Sequence, residues 1–293
     1  MEQSLGAISL NLDEGEDRDT LADVVRNLPT WLEDERARLL DHAHLADPTD
    51  QRNHFVRPES SKQRAADIVA GKAKRFVLSI DTSAGPRAVK FFTPLGYANR
   101  VYYAVRASPS RQAHELTRRA SSGPVMLPHS YGFIDLRDDR SLVRSAQVME
   151  LLSDLTSLGS YLSTRLKQAG QDSTARRDVI DWLAKQLSSL HQAGFYHPDI
   201  KPYHVFVVER SDTERLLLID MDRARLTKAL DIDQRAVNLY QLYRYALYDC
   251  SESERFHLME AYADHHESLG LDPEDLYRRV QRIFKRRSVR DAS

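Results

Sequence analysis

Residues 190–226, LHQAGFYHPDIKPYHVFVVERSDTERLLLIDMDRARL, decide the fold of this 293-residue chain. A loop with the pattern H-x-D-x-K-P begins at His197, two apolar segments predicted to pair as strands follow it, and Asp220 comes directly after the run LLLI. Phosphoryl transfer needs one carboxylate that accepts a hydroxyl proton and another that holds the metal ion on the phosphates. The segment therefore predicts a kinase catalytic loop, with Asp199 as general base and Asp220 as principal metal ligand.

Other side chains of this segment have roles that follow from their positions. Lys201 is predicted to neutralise charge on the transferring phosphoryl group, and His204 lies where kinases place the asparagine that binds a second metal ion. His197 more often supports such a loop through hydrogen bonds than takes part in the chemistry. Asp222 either assists the metal ion or pairs with a neighbouring arginine.

Residues upstream of the loop supply the remaining parts of a nucleotide site. A kinase uses a strand lysine to contact the α- and β-phosphates and a helix glutamate to orient that lysine, and Lys90 and Glu115 occur in this order. The predicted phosphate loop, IVAGKAKR at residues 68–75, holds the single glycine Gly71, which indicates weak cradling of phosphates by the backbone. A hinge is predicted near residues 149–151, where Glu150 and Leu151 are expected to contact the cofactor.

The order of predicted elements indicates an α+β fold with two lobes, similar to that of protein kinases. RFVLSID and RAVKFF are typical of strands, whereas leucines at helical spacing begin at Leu155. We predict an acidic, partly helical or disordered extension over residues 1–60. An N-lobe with an antiparallel sheet and one helix is predicted over 61–150, and a mainly helical C-lobe with the catalytic loop over 151–293.

Composition and charge narrow the class of ligand. Residues 1–60 carry fourteen Asp and Glu against six Arg, a balance of −8, so the remaining residues carry +7 of the net charge of −1. A basic core suits nucleotides and anionic sugars, and no nucleic acid is expected. With one cysteine, Cys250, no internal disulfide is possible. No long apolar run or signal peptide is visible, so a cytoplasmic location is expected.

At these motifs the chain resembles the lipopolysaccharide kinase family, the Kdo and heptose kinases of the Gram-negative inner core. The resemblance extends over residues 62–284, is strongest over 182–225, and includes DQRAVNLYQLYRYAL at residues 233–247. It implies a protein-kinase-like fold, ATP with Mg²⁺ or Mn²⁺, and transfer of the γ-phosphate to a sugar hydroxyl of Kdo or heptose. It also implies that the protein acts at the cytoplasmic face of the inner membrane, where peripheral contact with the lipid surface is expected. By position it carries Lys90, Glu115, Asp199, His204 and Asp220, and a histidine at 204 resembles the heptose-kinase branch.

Two other functions stay open at this point. About a dozen residues separate Asp220 from the helix predicted near Asp233, too few for a peptide-binding activation segment, so a sugar or glycolipid acceptor is favoured. An atypical Ser/Thr protein kinase is the alternative suggested by the loop sequence D-I-K-P. A pseudokinase scaffold is the alternative suggested by the lone Gly71 and by His204.

The predicted C-terminal helix, residues 272–290, combines an apolar face with many arginines. Attachment to anionic lipid is one interpretation of this pattern. A packed terminal helix with a solvated basic face is the other.

Overall fold

The computed structural model describes residues 8–11, 66–72, 75–82, 85–92, 101–138, 141–210, 213–246, 250–266 and 269–291. The chain divides into two compact units. The first comprises Met1–Arg119 with Pro128–Asp154, and the second comprises Ala120–Leu127 with Leu155–Ser293.

The first unit contains an antiparallel sheet with the order β1-β5-β6-β4-β3-β2. Its strands are β1 (Ile8–Asn11), β2 (Ala66–Lys72), β3 (Arg75–Thr82), β4 (Gly85–Phe92), β5 (Ser130–Asp138) and β6 (Ser141–Glu150). The central strands are apolar on both faces: Val89 and Phe91 of β4 are buried, and so are Ala88 and Phe92 on the opposite face. Burial on both faces explains why β4 is nearly continuous in apolar residues.

Helix α1 (Pro109–Ala120) covers one face of this sheet. It begins with a proline, which suits the first helical position, and the Ser108 hydroxyl accepts a hydrogen bond from the Arg111 amide at 3.1 Å. On its buried side, the Ser110 hydroxyl donates to the Ser145 hydroxyl of β6 at 2.9 Å. Ser145 is on the same face of β6 as Gln147, which lies opposite Lys90. The helix therefore covers the face that carries Lys90.

Strand β1 corrects one part of the sequence prediction. Residues 8–11 fall within the extension predicted to be partly helical or disordered, but they form an edge strand that pairs antiparallel with β5, from Ile8 opposite Leu136 to Asn11 opposite Phe133. A four-residue edge strand takes its conformation from the neighbouring strand that it pairs with, so its own sequence carries little signal. The rest of the extension lies outside the described residues.

The second unit is mainly helical. Its helices are α2 (Leu158–Ala169), α3 (Ser173–Gln192), α4 (Ile232–Ala246), α5 (Glu252–Asp264) and α6 (Pro273–Asp291). Helix α3 packs against α5, and α4 packs against α6. Leu183, Leu187 and Leu190 of α3 are fully buried, as their helical spacing predicts. Among the described helices, none combines the length and apolar character needed to cross a lipid bilayer.

Short strands of this unit position the predicted catalytic segment. They are β7 (Thr156–Ser157), β8 (Phe195–Tyr196), β9 (Val205–Arg210), β10 (Thr213–Leu218) and β11 (Arg225–Leu226). Strands β9 and β10 form an antiparallel hairpin in which Leu218 lies opposite Val205. The residues after β10 are therefore held beside the residues before β9, which confirms the predicted pairing of the two apolar segments and the α+β class.

Candidate active site

The loop of residues 197–204 is closed by its own backbone. The amide of Ile200 donates to the carbonyl of His197 at 3.3 Å, and the amide of His204 donates to the carbonyl of Lys201 at 2.8 Å. The amide of Ile219 then donates to the carbonyl of His204 at 2.9 Å, which ties the end of the loop to the residue before Asp220. Two sequence-distant carboxylates are thus brought to one place by main-chain hydrogen bonds.

His197 links the two predicted catalytic acids through their backbones. Its Nδ1 atom accepts from the Asp199 amide at 3.2 Å, so the ring proton lies on Nε2, which donates to the Asp220 carbonyl at 2.9 Å. Burial lowers the pKa of His197, although Asp220 and Asp199 act in the opposite direction. The ring is neutral and supports the loop, as the sequence predicts.

Asp220 has a left-handed backbone, with φ 67° and ψ 55°. Asp is among the few residues other than Gly that adopt this conformation at low cost. It follows Leu218 and Ile219 at the end of β10 and turns the chain into a short 3₁₀ helix, Met221–Arg223. A left-handed non-glycine residue held by a hydrogen bond from His197 is typical of a functional position.

Asp199 pairs with Lys201, with 3.1 Å between Oδ1 and Nζ. Both side chains keep access to solvent, 31% and 25% exposed respectively, as a group that meets a substrate requires. Burial lowers the pKa of Lys201, but hydrogen bonds to Tyr203 and Asp199 outweigh burial and raise it above its ordinary value. Lys201 is therefore a permanent cation beside the predicted base.

His204 faces Asp220 with an unprotonated nitrogen. Its Nδ1 lies 3.2 Å from the Asp199 carbonyl, which can only accept, so Nδ1 carries the proton. Its Nε2 then presents a lone pair 3.8 Å from Asp220 Oδ2. Burial lowers the pKa of His204, even though Asp220 raises it, so the ring stays neutral near pH 7. A lone pair and a carboxylate directed at each other leave a place suited to a cation.

These donors fit a phosphate-bound metal ion better than a permanent metal centre. Within the described residues, no group of three or more His, Cys, Asp or Glu side chains is arranged to hold a metal ion. Mg²⁺ is commonly held by one or two protein carboxylates while substrate phosphates and water complete its octahedron. Asp220 meets this requirement, whereas the His204 nitrogen is a poorer ligand for Mg²⁺ than an oxygen.

Lys90 of the first unit is buried, with 8% of its surface exposed. It lies opposite Gln147, whose amide donates to the Ser130 hydroxyl at 2.9 Å, and its Nζ is 5.2 Å from the centre of the Phe92 ring. Lysine is rarely buried to this extent without a function or a partner. The burial supports the sequence prediction for Lys90 without testing its role.

Two other candidates of the first unit, Glu115 and Glu150, have partners in the structure that do not test their predicted roles. Glu115 is on the exposed side of α1 and pairs with Arg111 at 2.7 Å, while the preceding residue, His114, faces the sheet and lies 2.9 Å from the Ser130 hydroxyl. Glu150 ends β6 and its carboxylate accepts from the His129 amide at 3.1 Å. Their predicted roles stay predictions.

The remaining two candidates occupy backbone positions that agree with a nucleotide site but do not test it. Gly71 lies in β2 opposite Phe76 of β3. Leu151 is half-buried and directly follows β6.

A family comparison identifies the chain. The sequence profile described as the lipopolysaccharide kinase (Kdo/WaaP) family matches residues 105–262, more than half of the chain. The chain belongs to this family. Membership makes it a phosphotransferase with an alcohol group as acceptor, a kinase of lipopolysaccharide core. No curated protein sequence matches.

One solved structure confirms the protein-kinase-like fold expected of a lipopolysaccharide kinase. The structure "WaaP in complex with acyl carrier protein" matches with a TM-score of 0.54 and 20% identity, covering 75% of this chain and 88% of that one. The PknI kinase domain of Mycobacterium tuberculosis also matches, with a TM-score of 0.37 and 15% identity, covering 66% and 76%. At these identities the comparison with WaaP speaks for the fold alone.

Two residues of this lipopolysaccharide kinase that support the loop were not predicted from sequence. On α4, the Asn238 amide donates to the His197 carbonyl at 2.9 Å and its oxygen accepts from the His197 amide at 3.3 Å. One turn later, Gln241 donates to the Pro198 carbonyl at 3.4 Å. Both are buried, at 0% and 2% exposure. Their signal was present as two amides at helical spacing in an otherwise apolar stretch.

Proposed function

We propose that this chain transfers the γ-phosphate of ATP, with Mg²⁺ or Mn²⁺, to a hydroxyl of an inner-core sugar, Kdo or heptose. The observation that carries the proposal is the fixing of Asp199 and Asp220 by one neutral histidine, His197, which bonds to the backbone of both. One carboxylate beside a lysine and another beside a lone-pair nitrogen provide the two different environments that phosphoryl transfer requires.

Each second-unit residue has a distinct proposed role. Asp199 accepts the proton of the attacking sugar hydroxyl, and Lys201 stabilises negative charge on the phosphoryl group. Asp220 holds the metal ion, and His204 is a further candidate ligand. When bound, the ion neutralises charge on the phosphate oxygens.

The first unit is proposed to bind the nucleotide. Lys90 contacts phosphate oxygens, an assignment that its burial supports. Gly71, Glu150 and Leu151 are proposed cofactor contacts, and Glu115 is proposed to orient Lys90 after exchanging its present partner, Arg111.

The acceptor is proposed to be an anionic sugar or glycolipid. Only the 3₁₀ helix, β11 and a few loop residues separate Asp220 from α4, which begins at Ile232, so a long peptide platform has no counterpart here. The charge of +7 outside residues 1–60 attracts anionic acceptors. The exposed basic residues of α6 are proposed to approach anionic lipid at the cytoplasmic face of the inner membrane: Arg278, Arg282, Lys285 and Arg286.

The test is transfer of label from radioactive ATP to three classes of acceptor: delipidated core oligosaccharide, free Kdo or heptose, and a generic protein substrate. We expect label in core oligosaccharide, dependent on metal and absent with Asp220→Asn. Label in protein alone would establish the atypical protein kinase instead. No nucleotide binding and no transfer would leave the pseudokinase scaffold.

A binding partner must be controlled for in this assay. The solved WaaP is in a complex with acyl carrier protein. Preparing this chain with and without co-expressed acyl carrier protein separates a missing partner from a missing activity.

A further inference from the structure

A buried hydrogen-bond chain in the second unit ends at the catalytic loop and begins at Arg235 of α4. Arg235 is 3% exposed, and within the described residues no carboxylate forms an ion pair with it. Its Nε donates to the Leu230 carbonyl at 3.2 Å, and its Nη1 lies 2.7 Å from the Tyr262 hydroxyl and 3.1 Å from His266 Nε2. A guanidinium has donors only, so every group that it contacts here must accept.

Because Arg235 can only donate, the donor and acceptor of each following hydrogen bond are fixed. The Tyr262 oxygen accepts from Arg235, so its proton is directed at His191 Nδ1, 2.7 Å away. Burial, assisted by Arg235, lowers the pKa of His191 to about 3, so the ring is neutral and carries one proton. Because Nδ1 accepts, that proton lies on Nε2, which faces the Asn238 oxygen at 3.4 Å.

The Asn238 amide connects this hydrogen-bond chain to the loop of residues 197–204. Its oxygen accepts from His191 and from the His197 amide, and its nitrogen donates to the His197 carbonyl. The reversed amide would set donor against donor and acceptor against acceptor at His197, and unmade hydrogen bonds in a buried site are costly. His197 in turn bonds to the backbones of Asp199 and Asp220.

We propose that Arg235, Tyr262 and His191 are positioning residues for phosphoryl transfer. Through His191 they add a third hydrogen bond to the Asn238 amide, besides the two from the His197 backbone, and thereby restrain the loop that presents the two catalytic acids. None of the three touches these acids, so they act through Asn238 and His197. The inference rests on the proposed roles of Asp199 and Asp220.

The decisive variant is Tyr262→Phe, which removes the relaying hydroxyl and keeps the buried ring. We expect kcat to fall about tenfold with the KM for ATP unchanged, because a group that orients catalytic residues affects the transition state more than ground-state binding. Tyr240→Phe is the matched control, since Tyr240 is also a buried tyrosine of this unit, at 1% exposure, outside the chain of bonds. It should keep wild-type kcat.

A double-mutant cycle tests whether Tyr262 acts through Asn238. Asn238→Ala should lower kcat more than Tyr262→Phe, and the double variant should lose no more than Asn238→Ala alone. Multiplied losses in the double variant would overturn the proposal. If Asn238→Ala does not fold, Asn238→Ser takes its place.

Nitrogen-15 NMR of the histidine rings supplies a readout that is independent of turnover. In the wild type, the proton of His191 should reside on Nε2, and Tyr262→Phe should mix the two tautomers while Tyr240→Phe leaves them unchanged. An unaltered His191 tautomer in folded Tyr262→Phe would overturn the proposal. If no acceptor is ever phosphorylated, the proposed function fails, but the NMR measurement still shows whether the hydrogen-bond chain fixes the His191 tautomer.

Discussion

At the scale of single residues, the two predicted catalytic acids differ in their surroundings. Asp199 is beside the cation of Lys201, and Asp220 has a left-handed backbone and faces the lone pair of His204. A base that accepts a proton and a ligand that holds a metal ion need such different environments. The roles can therefore be separated by substitution.

Replacing Asp199 tests the base. Asp199→Asn should lower kcat by roughly 10² to 10⁴ with little change in ATP affinity, because the amide cannot accept the hydroxyl proton but keeps the shape of the site. Steady-state kinetics at saturating acceptor measure this. Asp178→Asn, at an exposed position of α3, is the control and should behave as wild type. A large change in the KM for ATP with normal kcat would contradict the assignment.

Replacing Asp220 separates metal binding from backbone strain. Both Asp220→Asn and Asp220→Ala should lose the rise in melting temperature that ATP with Mg²⁺ or Mn²⁺ produces, because the carboxylate is gone. Only Asp220→Ala should also lower the free energy of unfolding, by about 1 kcal/mol, since Asn tolerates the left-handed backbone and Ala does not. Thermal shift and urea denaturation measure the two effects. A retained metal-dependent shift in Asp220→Asn would exclude Asp220 as the ligand.

Much of the candidate site in the second unit could be predicted from the sequence because its residues are close together in the chain. Asp199, Lys201 and His204 lie in one loop, and Asp220 follows the hairpin that returns to it. The amide of Asn238 stands out in the sequence, but neither its bonding partners nor those of Tyr262 could be predicted in this way. Their partners are set by the packing of α3, α4 and α5, which no local pattern encodes.

At the scale of elements, local signals succeeded where they were strong. β3, β4 and β6 agree with the strands predicted from their β-branched and aromatic residues. The bounds of helix α5 were not predicted, although Ser251 and Glu254 form a capping box at its start and are visible in the sequence. Its apolar residues lie on more than one side, so it lacks the single apolar stripe that identifies a helix from its sequence.

The turn that ends α3 gives a prediction at this scale. Gly194 has φ 73°, and a Cβ there would lie 1.9 Å from the Thr227 carbonyl oxygen. Gly194→Ala should therefore lower the free energy of unfolding by roughly 2 to 4 kcal/mol through strain and overpacking. Gly270, with φ 56° and nothing within 4 Å of its would-be Cβ, is the matched control. Gly270→Ala should cost about 1 kcal/mol.

Urea denaturation of the two glycine variants shows whether Gly194→Ala is destabilised by backbone strain alone or also by a clash with the Thr227 carbonyl oxygen. Equal losses of stability in Gly194→Ala and Gly270→Ala would show that the approach of Gly194 to Thr227 is not a constraint on the fold.

At the scale of the whole molecule, two histidines that the fold keeps uncharged make stability depend on pH. His191 has a pKa lowered to about 3 by burial and then by Arg235, and burial lowers the pKa of His266 to about 4. The ion pair of Glu254 with Arg176 behaves differently: the hydrogen bond from Arg176 lowers the pKa of Glu254 to about 2. Its contribution is lost only below the ordinary pKa of 4.5, so the interval from pH 7 to pH 5 isolates the histidines.

The unfolded chain binds a proton at His191 near pH 6.5, whereas the folded chain does not until about pH 3. Stability is therefore complete above pH 6.5 and falls as the pH drops toward 3, and His191 alone should remove about 2 kcal/mol between pH 7 and pH 5. His191→Gln should be less stable at pH 7, but its loss between pH 7 and pH 5 should be smaller than that of the wild type by about 2 kcal/mol. Urea denaturation at both pH values measures this difference, and His129→Gln, at an exposed position, should keep the wild-type dependence. An unchanged dependence in His191→Gln would mean that His191 binds a proton in the folded protein as readily as in the unfolded chain, which would also remove the directional argument that runs from Arg235 to the catalytic loop.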